Sequence, residues 1–142
     1  MRIKIQFPTE FSFTTNIPVR ISDINYGAHV GNDSLLSILH EARLQWLAQW
    51  EYNEMDAGGV GLIMADCALQ YKGESFYGDV LTVQIGIANI SSVSFDLFYK
   101  VTTQRNGVLL DILFAKTGML AFNYMTKKIT EIPETLRMKM EG

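Results

Sequence analysis

Apolar side chains recur with two different periods along this chain, and the change of period separates a helix from a set of strands. Over residues 33–50 the apolar positions follow the i, i+3, i+4, i+7 spacing of a helix with one apolar face. That face comprises Leu35, Ile38, Leu39, Ala42, Trp46 and Trp50, with Leu36 and Leu47 at its margins. From residue 60 onward apolar and polar positions tend to alternate, which predicts strands instead.

Turn residues divide the strand-like part of the chain into segments. The predicted strands span residues 10–21, 60–72, 80–90, 93–104 and 108–125, and residues 129–140 predict a short last strand and a helical tail. Arg105-Asn106-Gly107 is a hairpin signal, and Gly118 predicts a bulge in the longest strand. Pro18 predicts an edge strand or an irregular position for the first strand, because proline cannot donate a ladder hydrogen bond.

One strand, one long helix and about four further strands in sequence predict an α+β domain. A single helix buries one face, and an antiparallel sheet of this kind needs a cover on one side. The economical arrangement is a curved antiparallel β-sheet wrapped around one long central helix, as a single domain over residues 1–142. The other face and the edges of such a sheet favour association with a second copy.

Composition and charge exclude several classes of partner. The formal net charge of −3 leaves no basic stripe for nucleic acid. No apolar run reaches the roughly 18 residues of a membrane span, and the first residues lack the apolar stretch of a signal peptide. Cys67 is the single cysteine, so an internal disulfide is excluded and a reducing compartment fits. We therefore expect a cytoplasmic protein without nucleic-acid or membrane partners.

Polar residues and glycines are concentrated directly before the predicted helix. The segment reads Arg20-Ile-Ser-Asp23-Ile-Asn25-Tyr-Gly27-Ala28-His29-Val-Gly31-Asn32. Polar, conformationally permissive residues that lead into a helix N-terminus often build a site for a carbonyl group or an anion. An ordinary helix start with its capping residues would use the same residue types. No metal or other cofactor is expected, since His29 and His40 lack further ligands at a metal-binding spacing.

The predicted layout resembles the hotdog fold. This segment and three later motifs resemble, in the same order, the motifs of the 4-hydroxybenzoyl-CoA-thioesterase-like branch of acyl-CoA thioesterases. The polar segment resembles the branch's Arg-x-x-Asp-x-Asp-x-x-Gly-(His/Val)-Val-x-(Asn/Tyr). The later motifs are Glu41-Ala-Arg43, the Gly78-Asp79-x-Leu81 that ends a strand and turn, and the Ile-Pro133 tail. The resemblance implies hydrolysis of acyl-CoA or acyl-carrier-protein thioesters by a homodimer, or by a tetramer formed as a dimer of dimers.

The chain also departs from the pattern that it resembles. The second aspartate of the motif, the usual catalytic carboxylate of the branch, corresponds to Asn25, whose amide cannot act as nucleophile or base. The glycine before the histidine corresponds to Ala28. Plant acyl-carrier-protein thioesterases, a related branch, keep a histidine that matches His29, but their asparagine two residues earlier corresponds to Gly27. The chain therefore matches neither catalytic set completely.

Candidate catalytic residues follow from what thioester hydrolysis requires. His29 is a candidate general base, and Asn25 would orient the thioester or the attacking water. Glu41 is a candidate for activating water from the helix, but the sequence favours a partly buried carboxylate that pairs with Arg43 or with a backbone group. In the branch that the chain resembles, the aspartate that corresponds to Asp23 more often supports the loop than reacts.

Candidate substrate-binding residues surround the helix start. The backbone N–H groups of Gly31 and Asn32 would polarise the thioester carbonyl, next to the loop glycine Gly27. The resemblance implies that Ser91 and Ser92 line the path of the pantetheine arm, although serines are common in turns. The acyl group would occupy an apolar tunnel between helix and sheet at a subunit interface.

Other positions and functions stay open. Cys67 lies among apolar alternate positions and is expected in the core, whereas Asp66 is expected to be exposed because an unpaired buried acid is costly. The missing carboxylate at Asn25 favours an alternative, a non-catalytic hotdog domain that binds an acyl thioester or another apolar ligand. A hotdog dehydratase or hydratase is disfavoured, because those branches need a differently placed histidine with an acid.

Overall fold

The computed structural model, which describes residues 2–142, forms one antiparallel sheet and two α-helices in that part of the chain. The strands are β1 (Phe13–Pro18), β2 (Gly61–Tyr71), β3 (Val80–Ala88), β4 (Ser94–Arg105), β5 (Val108–Asn123) and β6 (Lys128–Ile129). The helices are α1 (Asn32–Ala48) and α2 (Glu134–Glu141), and a short 3-10 turn covers Ile21–Asp23. The predicted elements are thus present, with ends shifted by a few residues.

The order of the strands in the sheet is β1-β3-β4-β5-β2, and β6 pairs with the end of β5. Strands β3, β4 and β5 pair in chain order, but β2 pairs with β5 rather than with β3, which follows it. The connection 72–79 therefore carries the chain from the β2 edge of the sheet to β3. Pro18 ends β1, an edge strand, as the sequence predicts. A curved antiparallel sheet around α1 confirms the predicted fold class.

Helix α1 is held by its apolar face. Leu39, Ala42 and Trp46 of this face are fully buried, each large side chain contributing about 1.5–3 kcal/mol by its removal from water. Trp50 lies beyond the end of the helix and is only partly buried. Arg43 is also buried on the inner side of α1, with 5% of its surface exposed, so the core contains a cation that needs a partner.

Strand β2 is an open edge with a bulge. It pairs with β5 on one side, and its register shifts between Met64 and Asp66. The irregularity predicted at Gly118 therefore lies in the neighbouring strand, opposite that glycine. A side chain at Gly118 would place its Cβ 2.4 Å from Asp66 Oδ1, which instead accepts the Gly118 N–H at 3.0 Å. As expected, Asp66 is exposed, and it pairs with Lys116 at 2.8 Å.

The prediction that Cys67 belongs to the core is wrong, because Cys67 is exposed. Its pairing with the buried Thr117 turns its side chain toward the face of the sheet that α1 covers. Helix α1 packs over β1 and β3 and, through Trp46 and Arg43, over β4, and it leaves the middle of β2 exposed. Met64 faces the same side as Cys67, since it pairs with the buried Met119. The bulge between Met64 and Asp66 shifts the alternation of the strand, so an even-numbered and an odd-numbered residue share this face.

The opposite face of the sheet is partly covered by the N-terminal segment. The ring of Phe7 meets that of Phe114 edge-on, with centroids 4.9 Å apart, and the ring of Phe11 lies 5.3 Å from Phe7. The backbone N–H of Ile5 donates to the side chain of Gln70 on β2 at 3.3 Å. The N-terminal segment leaves the edge of β2 and its helix-facing side open, and the outer edge of β1 is also without a strand partner in residues 2–142.

Candidate functional site

The polar segment folds into a compact loop in front of α1, and Asp23 supports it. The Asp23 side chain is buried; its carboxylate accepts the backbone N–H of Arg20 at 2.8 Å and lies 3.4 Å from the Arg20 guanidinium. Its backbone carbonyl accepts the N–H of Gly31 at 3.1 Å. These contacts hold both ends of the loop and leave the Asp23 carboxylate turned away from solvent.

Asn25 forms the tight turn at the tip of the loop. Its side-chain Oδ1 accepts the backbone N–H of Gly27 at 2.8 Å, and its own N–H donates to the carbonyl of His29 at 2.9 Å. The turn forces Ala28 into the left-handed region, with φ of 69°. The Asn25 amide oxygen is therefore engaged in the loop itself.

His29 is half-buried, and its ring is oriented by the backbone. Its Nδ1 lies 3.1 Å from the carbonyl oxygen of Val30. Because a carbonyl only accepts hydrogen bonds, the neutral ring carries its proton on Nδ1 and a lone pair on Nε2. Nε2 is thus the atom that can accept a proton or a hydrogen bond from a ligand.

The N-terminus of α1 presents backbone donors without a side-chain cap. Gly31 is the N-cap residue, and its own N–H is used by the Asp23 carbonyl. Within residues 2–142, the N–H groups of Asn32, Asp33 and Ser34 have no acceptor. These three groups carry the partial positive charge of the helix start, which stabilises a carbonyl oxygen that gains negative charge. The N–H of Gly31, which was expected to bind the substrate carbonyl, is therefore not available, and the first free donor is the N–H of Asn32.

A cleft of about 340 Å³ opens beside this helix start. It is lined by His29, Val30, Asn32 and Leu35 on one side and by Tyr71, Lys72, Gly73, Glu74 and Ser75 on the other. The N–H of Val30 donates to the Ser75 carbonyl at 2.8 Å, and the Tyr71 hydroxyl lies 3.5 Å from the carbonyl of Asn32. The end of β2 therefore forms the second wall of the cleft, and His29 and Asn32 meet within it.

Glu41 lies on the other flank of α1. Its carboxylate accepts a hydrogen bond from Gln45 at 2.8 Å, and Gln45 in turn bonds to Thr15 of β1. Strand β1 is the sheet edge opposite β2. Glu41 is therefore directed away from the cleft, and its partner is Gln45 rather than Arg43.

Ser91 and Ser92 lie in the connection between β3 and β4. The Ser91 hydroxyl is 2.8 Å from that of Ser94, and the Ser91 carbonyl accepts Arg137 of α2 at 2.7 Å. The Ser92 carbonyl accepts the N–H of Ile132 at 2.8 Å. On β5, Ser94 pairs with residue 120 and Tyr71 with residue 113, which puts this turn about 23 Å along the sheet from the cleft.

A second polar cluster, which the sequence reasoning missed, runs from the surface into the core. His40 Nε2 lies 2.5 Å from one carboxylate oxygen of Glu54, and Arg43 Nε donates to the other at 2.9 Å. Arg43 also donates to the hydroxyl of Tyr99 at 3.2 Å, and this hydroxyl is 2.7 Å from that of Thr117. The signal available in the sequence was Arg43 itself, a cation near the buried face of a helix.

Burial explains the charge states within this cluster. It raises the pKa of Tyr99 above its ordinary value, so the phenol stays neutral. Burial alone lowers the pKa of Arg43, but Tyr99 and Glu54 outweigh it and hold that pKa above its ordinary value. The guanidinium therefore remains charged and fixes the Glu54 carboxylate.

The exposed end of the cluster faces a second cavity of about 310 Å³. Its lining residues are Leu36, Ser37, His40, Arg43 and Met64. This cavity lies between α1 and the first half of β2, on the helix-facing side of the sheet. Just over half of the His40 side chain is exposed there, at 52%.

Two further features of residues 2–142 concern cofactors and membranes. Within that range, no three His, Cys, Asp or Glu side chains gather in a way that could hold a metal ion. Neither helix in that part of the chain has the length and apolar character needed to cross a bilayer.

Sequence comparison identifies the family of the chain. The sequence profile of the thioesterase-like superfamily matches residues 19–140, which include the loop, α1, strands β2 to β6 and most of α2. A search of curated protein sequences finds no match.

Several solved structures that superpose on this chain are described as thioesterases. A 4-hydroxybenzoyl-CoA thioesterase from Pseudomonas sp. strain CBS-3 superposes with a TM-score of 0.80 at 16% identity, over 91% of this chain and 99% of that chain. A 1,4-dihydroxy-2-naphthoyl-CoA thioesterase from Synechocystis gives 0.78 at 21% identity, over 90% and 94%. A predicted thioesterase from Bacillus stearothermophilus gives 0.78 at 21%, over 91% and 93%. The chain therefore belongs to the thioesterase-like superfamily and has the hotdog fold of these thioesterases.

Proposed function

We propose that this protein hydrolyses acyl thioesters of CoA or of acyl-carrier protein by direct attack of water. The observation that carries the proposal is the start of α1, where three backbone N–H groups without acceptors open beside a cleft that also holds His29. Preorganised donors of this kind stabilise the oxyanion that forms when water adds to a thioester carbonyl. Family membership supports the same reaction class.

The loop residues take distinct roles in this proposal. The thioester oxygen accepts hydrogen bonds from the N–H groups of Asn32 and its successors, and His29 Nε2 accepts a hydrogen bond from the substrate or from the attacking water. Asp23 and Gly27 hold the loop in shape through their hydrogen bonds. Asn25 orients the turn, since its amide oxygen accepts the Gly27 N–H and its own N–H donates to the His29 carbonyl.

The open edge of β2 supports a homodimer with its sites at the seam. Two copies that pair their β2 strands about a two-fold axis form one continuous sheet, which removes both open edges. Met64 and Cys67, which face the helix side without cover, would then lie beside the partner. The cleft reaches this edge through Tyr71, so the acyl group would lie between the two copies, and a tetramer would form as a dimer of dimers.

Aromatic acyl-CoA esters are the first substrates to test. By their names, three structural neighbours act on 4-hydroxybenzoyl-CoA, 1,4-dihydroxy-2-naphthoyl-CoA and gentisyl-CoA. The test is thiol release from a panel of aromatic and straight-chain acyl-CoA esters, and from acyl-carrier-protein thioesters. We expect saturable release from at least one of them. Folded protein that releases no thiol above background from any of them would contradict the proposal.

A second candidate function is binding without hydrolysis, and Asn25 is the observation that favours it. An aspartate-to-asparagine mutant of 4-hydroxybenzoyl-CoA thioesterase has been solved in complex with 4-hydroxybenzoyl-CoA. Asn25→Asp distinguishes the two functions, because the carboxylate still accepts the Gly27 N–H. An inert wild type whose Asn25→Asp variant gains hydrolysis would identify a binding module, whereas an active wild type excludes it.

A further inference from the structure

His40 and Glu54 form an acid–imidazole pair that the loop chemistry does not use. The ring of His40 is half-exposed on the second cavity, and its Nε2 is 2.5 Å from Glu54. Arg43 holds the other carboxylate oxygen at 2.9 Å and is itself anchored on the buried Tyr99. The carboxylate fixes the orientation and tautomer of the His40 ring and stabilises the imidazolium that forms when the ring takes a proton. The His29 ring has only a backbone carbonyl as its partner.

Within one chain this pair is far from the cleft. Met64 lines the His40 cavity and Tyr71 lines the cleft, and both lie on β2. Seven residues of strand separate them, which is about 23 Å. No side chain spans that distance, so the pair cannot serve the cleft of its own chain.

A two-fold dimer brings the pair to the other cleft. Two identical edge strands related by a two-fold axis pair antiparallel, and residues directly opposite each other face the same side of the joined sheet. When β2 pairs about its middle, Met64 of one copy lies opposite the helix-facing Leu69 of the other, two residues or about 7 Å from Tyr71. Both cavities lie on the helix-facing side of the joined sheet, because Met64 and Tyr71 point to that side.

We propose that His40 of the partner subunit, oriented by its Glu54, is the general base that completes each cleft. This inference rests on the proposed thioester hydrolysis and adds the residue that replaces the missing carboxylate of the loop. The Nε2–Glu54 contact leaves Nδ1 as the atom directed to the cleft, with the proton of the neutral ring on Nε2. His29 then contacts the substrate and positions the water.

The reaction is balanced with this assignment. Nδ1 of the partner's His40 takes a proton from water while the water oxygen bonds to the thioester carbon, and the carbonyl electrons move to the oxygen held by the α1 amides. When the tetrahedral intermediate collapses, the carbon–sulfur bond breaks and the thiolate leaves with its electron pair. The imidazolium returns its proton to the thiolate, which yields the free thiol and a carboxylic acid, and the ring is neutral again.

Removal of the imidazole tests the assignment. His40 is exposed, so His40→Ala is expected to fold and dimerise as the wild type does. Its kcat should fall by about 100-fold or more with little change in KM, and added imidazole should restore part of it. Glu54→Gln, which removes the charge that orients the ring, should lower kcat about 10-fold at unchanged KM. A His40→Ala protein with wild-type kcat overturns the inference.

Mixed dimers test which subunit supplies the base. Asn32→Pro removes an oxyanion donor and His40→Ala removes the base, so each homodimer should be nearly inactive. A mixed dimer, isolated with two different affinity tags, contains one cleft with both groups intact and should recover about half of the wild-type rate. A mixed dimer as inactive as its parents overturns the inference. Wild-type protein that releases no thiol overturns the proposed function, a result distinct from an active wild type with an inactive mixed dimer.

Discussion

Three backbone N–H groups at the start of α1 carry more of the proposed chemistry than any side chain of the loop. They belong to Asn32, Asp33 and Ser34, and they are open because the N-cap Gly31 has no side chain to satisfy them. A serine or aspartate cap would stabilise the helix but occupy one of these donors. The uncapped start therefore fits a helix end that is reserved for a ligand.

Asn32→Pro removes one of these donors with little disturbance of the helix. Proline is favoured at the first helical position, and Gly31 already has the extended conformation, φ of −70° and ψ of 153°, that a following proline requires. We expect kcat for thioester hydrolysis to fall about 100-fold. Asn32→Ala, which keeps the N–H and removes the same side chain, is the control and should stay within a few-fold of wild type. Equal losses in both variants would assign the effect to the side chain.

Ala28→Gly should stabilise the loop. Ala28 has a φ of 69°, a region that costs an L-residue about 1 kcal/mol or more, and the gain is reduced by the greater freedom of glycine in the unfolded chain. We expect the free energy of unfolding in urea to rise by about 0.5 kcal/mol. Ala48→Gly at the end of α1 should instead lower it by a similar amount. A loss of stability in both variants would show that the loop is not strained at Ala28.

For single residues, the sequence predicted which side chains share the loop, but it did not predict which backbone N–H groups lack a hydrogen-bond acceptor. Gly27, His29 and Asn32 could be placed in one loop because they are neighbours in the chain. The loss of the Gly31 N–H to the Asp23 carbonyl depends on how the loop closes, and no pattern of residue types encodes it. The contact between His40 and Glu54 was not predictable for a similar reason, since Glu54 lies 14 residues away in an irregular segment.

The connection 72–79 between β2 and β3 contributes one wall of the cleft. Asp79 holds it in place: its carboxylate accepts the N–H of Phe76 at 2.9 Å, the hydroxyl of Ser75 at 3.2 Å and the guanidinium of Arg105 at 2.6 Å. Burial acts to raise the pKa of Asp79, but these hydrogen bonds outweigh it, and the pKa lies below its ordinary value. Ionised Asp79 therefore stabilises the cleft wall.

Asp79→Asn should weaken the wall in a pH-dependent manner. Because the folded pKa lies below the unfolded one, the stabilisation is present above the unfolded pKa and is lost as pH falls through the folded pKa. We expect the variant to lose about 2 kcal/mol of unfolding free energy at pH 7, and the difference from wild type to shrink toward acid pH. The exposed Asp111→Asn serves as control. A difference that stays constant down to acid pH would contradict the charge-based explanation.

Element types were predictable from the sequence, whereas the neighbours of β2 were not. The alternation in β2 and β5 predicts two strands, but their pairing across the β3–β4 segment depends on the closure of the whole sheet. The bulge at Met64–Asp66 follows from the hydrogen bond between Asp66 and Gly118, two residues far apart in sequence. Cys67 was predicted to lie in the core because the residue pattern of one strand does not indicate whether that strand lies at an edge of the sheet.

For the whole molecule, the uncovered side of β2 decides whether the site belongs to one chain or two. The N-terminal segment partly covers the outer face through Phe7 and Phe114, so the open edge and its helix-facing side remain for a second copy. Cys67 lies one residue from the middle of β2, and its side chain is exposed in the single chain. A charge at this position therefore acts on the association of two copies rather than on the fold.

Cys67→Arg should separate the dimer into folded monomers. Two arginines would lie near the two-fold axis of the joined sheet, where like charges on neighbouring strands repel. We expect the sedimentation mass to fall to that of one chain, with thermal stability changed only through the loss of the partner. Met125→Arg, which places the same charge on a residue 93% exposed in the hairpin between β5 and β6, should leave the mass unchanged. A Cys67→Arg protein that remains dimeric would exclude the β2 edge as the interface.

The most direct measurement is the rate of thiol release from an acyl-CoA ester by wild type and by Cys67→Arg, with the mass of each protein determined in the same buffer. A site at the β2 seam predicts a dimeric wild type that turns over the ester and a monomeric variant that is folded but at least about 100-fold slower. A folded monomer that hydrolyses the ester at the wild-type rate would contradict a site shared between two copies.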